Sequence, residues 1–379
     1  MRSLLAKGAL ALLFFLPAFT SPAASIGMGT TQKLTAADVL VLEGTGYDLG
    51  QKQGFALKAA ILHLYNDWLL PKLKAVPLLF EIYAKAKVHN MEPFIPQDLK
   101  DEIRGMSDAV GIDYNMALIV NAVPDIMGLV SKPFGCSTFV VLPERSAEGG
   151  LIYGRNLDYE QSELLRQYWH PTVFARPGKH RVLSINVPGM SGVLTAINDH
   201  GVMMSRMTSY SRHISSHGVP SMLLFRHILE EADTAADAGV LYRQAARTVA
   251  VNVMVADSRS AQVLEATGTQ FYVRTPNQAG VLYSANHYET PALKDGIHGR
   301  DERWSQLARF DNNTRKILAD DVLETLALSA GKGKNLLAAV VDYSRKTMTF
   351  GGDADSSGGG IAARGKLYEI DLSEFLPGF

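Results

Sequence analysis

The patterning of this chain changes abruptly at Gly135-Cys136. Upstream, apolar residues recur at helical spacing, as in Ala56, Ile61, Leu64 and Trp68. Downstream come short runs rich in β-branched and aromatic residues, punctuated by Gly, Pro, Asn and Asp. CSTFVVLP and GLIYGRNLDY flank a turn made of ERSAEG, which predicts a hairpin. PTVFAR, HRVLSINV, GVLTAIND and GVMMSRMTS then predict an antiparallel meander. Two helices follow, one begun by Pro220 and one by Thr234 with Asp237 three residues on. Strands return in VNVMVAD, AQVLEATG, QFYVRT and GVLYSAN, helices over 301–330, and strand again in GKLYEIDL. Runs of strands separated by helix pairs fit stacked α+β layers in one domain, not a βαβ parallel sheet.

The segment before Cys136 is predicted to be helical over 36–88, from Pro96 to a stop at Gly111, and again after Asp113 as N-cap. Residues 1–25 have the form of a signal peptide. Arg2 and Lys7 precede the apolar run Ala9–Phe19, and Ser21-Pro22-Ala23-Ala24-Ser25 offers small residues for cleavage. The run falls short of the ~20 residues that span a bilayer, so a periplasmic or secreted protein without a stable membrane span is expected. Lys plus Arg number 37 against 38 for Asp plus Glu, which removes the basic excess a nucleic-acid partner requires.

Cys136 is the one cysteine, so an internal disulfide is impossible. It opens a strand immediately after a glycine. A thiol placed there can attack the carbonyl of Gly135 and release the upstream segment through a thioester. Cleavage would convert an amide nitrogen into an α-amine on the nucleophile's own residue, able to take the thiol proton and later donate it to a leaving amine. Arg155 and Asp158 lie on the opposing strand of the same hairpin. Arg155 could favour thiolate and Asp158 could hold the new ammonium group; an ordinary Arg155–Asp158 ion pair is the plainer alternative.

GCSTFVV followed by GLIYGRNLDY resembles the N-terminal-nucleophile (Ntn) hydrolases. The likeness is to the acid ceramidase and N-acylethanolamine acid amidase group and to the penicillin N-acyltransferases, and more distantly to choloylglycine hydrolases. DEIRGMSDAVGIDYNMALIVNAVPD, GMSGVLTAINDHGV, VMVADSRSAQVLEAT and YSANHYE extend it over nearly all of the chain beyond about residue 38. The resemblance implies a four-layer αββα sandwich with two central antiparallel sheets. It implies a catalytic set of Cys136, Arg155, Asp158, Asn286 at the oxyanion and Arg303, with Arg300 as rival to Arg303. It implies self-cleavage between Gly135 and Cys136, with residues 26–135 retained as a non-covalent α-subunit beside a catalytic subunit of 136–379. The activity implied is hydrolysis of a linear amide in a small N-acylated substrate, without a cofactor. Acyl transfer to an amine, an uncleaved esterase and an unprocessed exported binding protein are the alternatives. The hairpin turn is longer than usual in these families, and Cys-Ser-Thr replaces the commoner Cys-Thr-Ser.

Other signals carry less. His213 and His217 have helical metal spacing but lie in a Ser-rich stretch without the HExxH glutamate. The loop from Asp353 has Arg364 where a calcium loop needs Glu. His287 could pair with Cys136 in a papain-like way, although chain order does not match that class. Phe134, Met203, Met204 and Met207 could line an acyl pocket, with core packing as the plainer role.

Overall fold

The computed structural model describes residues 30–71, 78–127, 134–159, 163–211, 213–294, 303–331, 334–353 and 357–379. The signal-peptide reading and the candidate Arg300 fall outside them. The strands are β1 (Thr31–Lys33), β2 (Leu40–Glu43), β3 (Phe134–Val141), β4 (Ile152–Tyr159), β5 (His170–Ala175), β6 (Val182–Asn186), β7 (Thr195–Asn198) and β8 (Met203–Thr208). They continue as β9 (Val251–Ala256), β10 (Ala261–Ala266), β11 (Phe271–Arg274), β12 (Val281–Ser284), β13 (Asn335–Asp342), β14 (Thr347–Gly351) and β15 (Leu367–Asp371). The longer helices are α1 (Gly46–His63), α2 (Leu78–Met91), α3 (Gln97–Val110), α4 (Tyr114–Met127), α5 (Ser221–Leu229), α6 (Ala235–Gln244) and α7 (Ala319–Ser329).

The strands form two sheets. One has seven strands in the order β1-β15-β14-β13-β4-β3-β12, the other eight in the order β11-β10-β9-β8-β7-β6-β5-β2. The second contains the expected meander, β5 to β8, and continues it after two helices through β9 to β11, each neighbouring pair antiparallel. Alternation along each strand stacks the sheets. Val140 and Tyr153 from the first sheet meet Val173, Ile185, Met203 and Met254 from the second in one core between them. The outer face of the second sheet, through Val253 and Leu264, packs on α1 to α6. The outer face of the first, through Phe139 and Ile152, packs on α7. The layers are therefore αββα.

Three expectations are corrected. The sheets are mixed rather than purely antiparallel, because β1 pairs parallel with β15 and β2 parallel with β5. These two edge strands, one in each sheet, come from the N-terminal segment, so that segment is not wholly helical; Leu40–Glu43 joins a sheet edge where helix was expected. Over 301–330, residues 311–318 separate α7 from a single turn at Trp304–Leu307 and its 3-10 extension. Other local signals are met. Gly111 ends α3 at φ +85°, a left-handed conformation that costs other residues steric strain. Asp113 accepts the Met116 N–H and Thr234 that of Asp237. Among the described residues, no helix is long and apolar enough to cross a membrane.

Candidate active site

The hairpin of β3 and β4 sets the geometry. Its register pairs Gly135 with Asp158, Cys136 with Leu157 and Thr138 with Arg155. Cys136 and Arg155 thus project into the space between the sheets, and Asp158 projects from the opposite face. The thiol is buried, and the fully buried Arg155 donates from Nη2 to its Sγ at 3.4 Å. Arg155 is steadied by Nε on Thr195 Oγ1 at 3.4 Å and by Nη1 on the Asn156 carbonyl. The Arg155–Asp158 ion pair, left open above, does not form its own bridge: three residues apart on one strand, the two side chains point to opposite faces.

Asp158 instead meets Arg303. Nη1 of Arg303 lies 3.0 Å from Asp158 Oδ2, and its Nη2 donates to Asn286 Oδ1 at 2.6 Å. The same Asn286 Oδ1 accepts the Cys136 backbone N–H at 2.6 Å, while Asn286 Nδ2 donates to the Thr208 carbonyl at 2.7 Å. A chain of contacts therefore runs from the Cys136 nitrogen through Asn286 and Arg303 to Asp158. It is Asn286, not Asp158, that accepts from this nitrogen. Asn335 donates to Asp158 Oδ1 at 2.8 Å. Burial pushes the Asp158 carboxyl above its ordinary pKa, more than Arg303 and Asn335 pull it down. Gly135 makes room for this junction: a Cβ there would lie 3.1 Å from Asp158 Oδ2 and 3.2 Å from Arg303 Nη1.

An apolar cleft is lined in part by Leu157, the residue paired with Cys136 in the hairpin. Trp68, Val120 and Pro124 from the N-terminal segment face Trp169, Met190 and Met222 across it. Met203, Met204 and Met207 are fully buried in the two cores and do not line it; they take the core-packing role, the plainer of the two expected for them. The side chain of Phe134 falls outside the described residues. His287 turns Nε2 to Glu289 at 2.8 Å and sets its ring against Trp304. His213 and His217 sit in a loop rather than on a helix.

Comparison with known proteins decides the family. The profile of the acyl-coenzyme A:6-aminopenicillanic acid acyl-transferase family matches residues 145–350, more than half of the chain. The chain belongs to this family. It thereby falls in the Ntn group that its motif resembles, and the matched span contains Arg155, Asp158, Asn286 and Arg303. A protein of Archaeoglobus fulgidus described as "Uncharacterized protein" is 22% identical over 73% of this chain and 54% of its own length. The N-acylethanolamine-hydrolyzing acid amidase of Cavia porcellus is 30% identical over 37% of this chain and 34% of its own. The chain spans about half or less of the length of these relatives. A solved Caenorhabditis elegans N-acylethanolamine-hydrolyzing acid amidase ortholog superposes with a TM-score of 0.43 at 20% identity, over 54% of this chain and 92% of that one.

For this family member, sequence reasoning missed the residues that position the set rather than belong to it. Asn335 stands 177 positions from Asp158 yet bonds both its carboxylate and the Ala362 N–H. Thr195 and Thr208 are ordinary strand threonines in the sequence. Asn121 of α4 accepts the N–H groups of Ser191 and Gly192 at 2.8 and 2.9 Å, tying the N-terminal segment to the cleft wall. Asp125 of α4 accepts both the N–H and the hydroxyl of Ser221 at 2.9 Å.

Proposed function

We propose that this chain is an exported cysteine Ntn enzyme that cleaves itself before Cys136 and then hydrolyses a linear amide in a small N-acylated substrate. One observation carries the reading: the nitrogen and the sulfur of the same residue each meet a dedicated partner, Asn286 Oδ1 at 2.6 Å and Arg155 Nη2 at 3.4 Å. Cys136 Sγ adds to the Gly135 carbonyl carbon, the C–N bond breaks, and the nitrogen keeps the thiol proton. Water then hydrolyses the thioester, leaving a Gly135 carboxylate, a thiol and a free α-amine. In turnover the α-amine accepts the thiol proton as sulfur attacks the substrate carbonyl, and passes it to the departing amine. Nδ2 of Asn286 has a second N–H to offer the oxyanion, a contact of the kind worth about 3 kcal/mol. Arg303 keeps Asn286 oriented and balances Asp158.

The apolar cleft beside Leu157 suits a hydrocarbon acyl chain, with the amine portion toward solvent. Much of that cleft wall, and both parallel edge strands, belong to the segment before Cys136. On this reading residues 26–135 stay bound as a non-covalent subunit after cleavage. Acyl transfer is the second reading, favoured by the family profile; it shares the thioester and differs in the nucleophile that resolves it.

Intact mass and N-terminal sequencing of purified protein test the proposal. A fragment beginning Cys-Ser-Thr-Phe and ending at Phe379 is expected, still bound to its upstream partner, and Cys136→Ala stays uncut and inactive. Turnover by the Ala variant refutes the mechanism. Product analysis with and without an added amine separates hydrolysis from transfer.

A further inference from the structure

At the end of the second sheet remote from Cys136, His180, His200 and Asp233 bring three ligand atoms within 4.8 Å of one another. His180 precedes β6, His200 lies in the turn between β7 and β8, and Asp233 connects α5 to α6. Thr208 at one end of β8 serves Asn286; His200 stands just beyond the other end. At about 3.3 Å per residue, the length of β8 puts the cluster roughly 16 Å from that anchor.

We propose that this cluster is a site for a divalent transition-metal ion, with zinc the best fit. Asp233 Oδ1 lies 3.1 Å from both His180 Nε2 and His200 Nδ1. Ligands held about 2.0–2.1 Å from one tetrahedral zinc stand about 3.3 Å apart, so these edges are already near bonding geometry. Imidazole nitrogens with a carboxylate oxygen suit zinc, copper or nickel, and an open fourth position is left for water.

His180 Nδ1 lies 3.1 Å from Asp199 Oδ1, a buried oxygen without a hydrogen-bond partner among the described residues, while the other Asp199 oxygen accepts the Arg181 N–H at 3.1 Å. A second carboxylate thus adds negative charge beside the three ligand atoms. Both nitrogens of His180 face carboxylates, and the His180 and His200 ring centroids are 4.0 Å apart. One divalent ion among Nε2, Nδ1 and Oδ1 pins three connections together.

The test uses the full chain with Cys136→Ala, which removes the competing thiol, stripped with EDTA and titrated with zinc chloride by calorimetry. One saturable site per chain is expected. His200→Ala and Asp233→Ala, both at exposed positions, should weaken it at least ten-fold. Zinc should raise the melting temperature of the parent and not of His200→Ala. Circular dichroism confirms that the variants remain folded. Absence of saturable binding, or undiminished affinity in both His200→Ala and Asp233→Ala, overturns the proposal.

Discussion

Replacing Arg303 by Met tests the contact chain where it is most heavily loaded. Asp158 has 3% and Arg303 15% of its side-chain surface exposed, and they meet at 3.0 Å. Removing one partner of a buried pair costs about 3–5 kcal/mol, because the other charge is left in a poor solvent. Asn335 still donates to Asp158, which places the expected loss near the lower end, about 3 kcal/mol, at pH 8. Protonation offers the carboxyl an escape. Its folded pKa already lies above the ordinary value because of burial, and losing the guanidinium raises it further. Between the unfolded and folded pKa values the native state holds a proton that the unfolded state has released. Stability therefore falls as pH rises through that window, and the variant's window reaches higher than the parent's. The loss should shrink by as much as about 1.4 kcal/mol per unit of pH on going down toward pH 5. Urea denaturation in the Cys136→Ala background, where one uncut chain unfolds, measures this. In combination with Asp158→Asn, Arg303→Met should cost about 2 kcal/mol less than it does alone. Additive losses, or a loss that grows as pH falls, would refute the reasoning.

Three further outcomes are expected. Asn121→Ala leaves the buried N–H groups of Ser191 and Gly192 without their acceptor, at about 1–3 kcal/mol each; size-exclusion chromatography in mild urea should show the upstream fragment leaving the matured protein earlier than in wild type. Val120→Phe, in the cleft wall, should raise KM for long-chain N-acyl amides at least ten-fold and leave acetyl amides unchanged in a kinetic comparison. Gly111→Ala keeps a φ of +85° with open space around the new methyl, so strain alone should cost about 1 kcal/mol in denaturant unfolding.

Much of the architecture was legible from local signals. Strand runs between Gly and Asn punctuation located the meander, and Gly111, Asp113, Pro220 and Thr234 marked helix ends, because caps and turns act within a few residues of themselves. The hairpin and the boundary at Gly135-Cys136 were likewise local. Tertiary structure decided the rest. β1 and β2 are three and four residues long and carry no strong signal; their partners β15 and β5 lie far along the chain. The face on which a strand residue lands follows from register, which sent Arg155 to the thiol and Asp158 to Arg303. Asn335 and the His180, His200 and Asp233 cluster have no spacing to betray them, since only the packing of distant strands and connections gathers their polar atoms. Patterning along the chain set which layers exist, and long-range pairing chose which side chains meet between and beyond them.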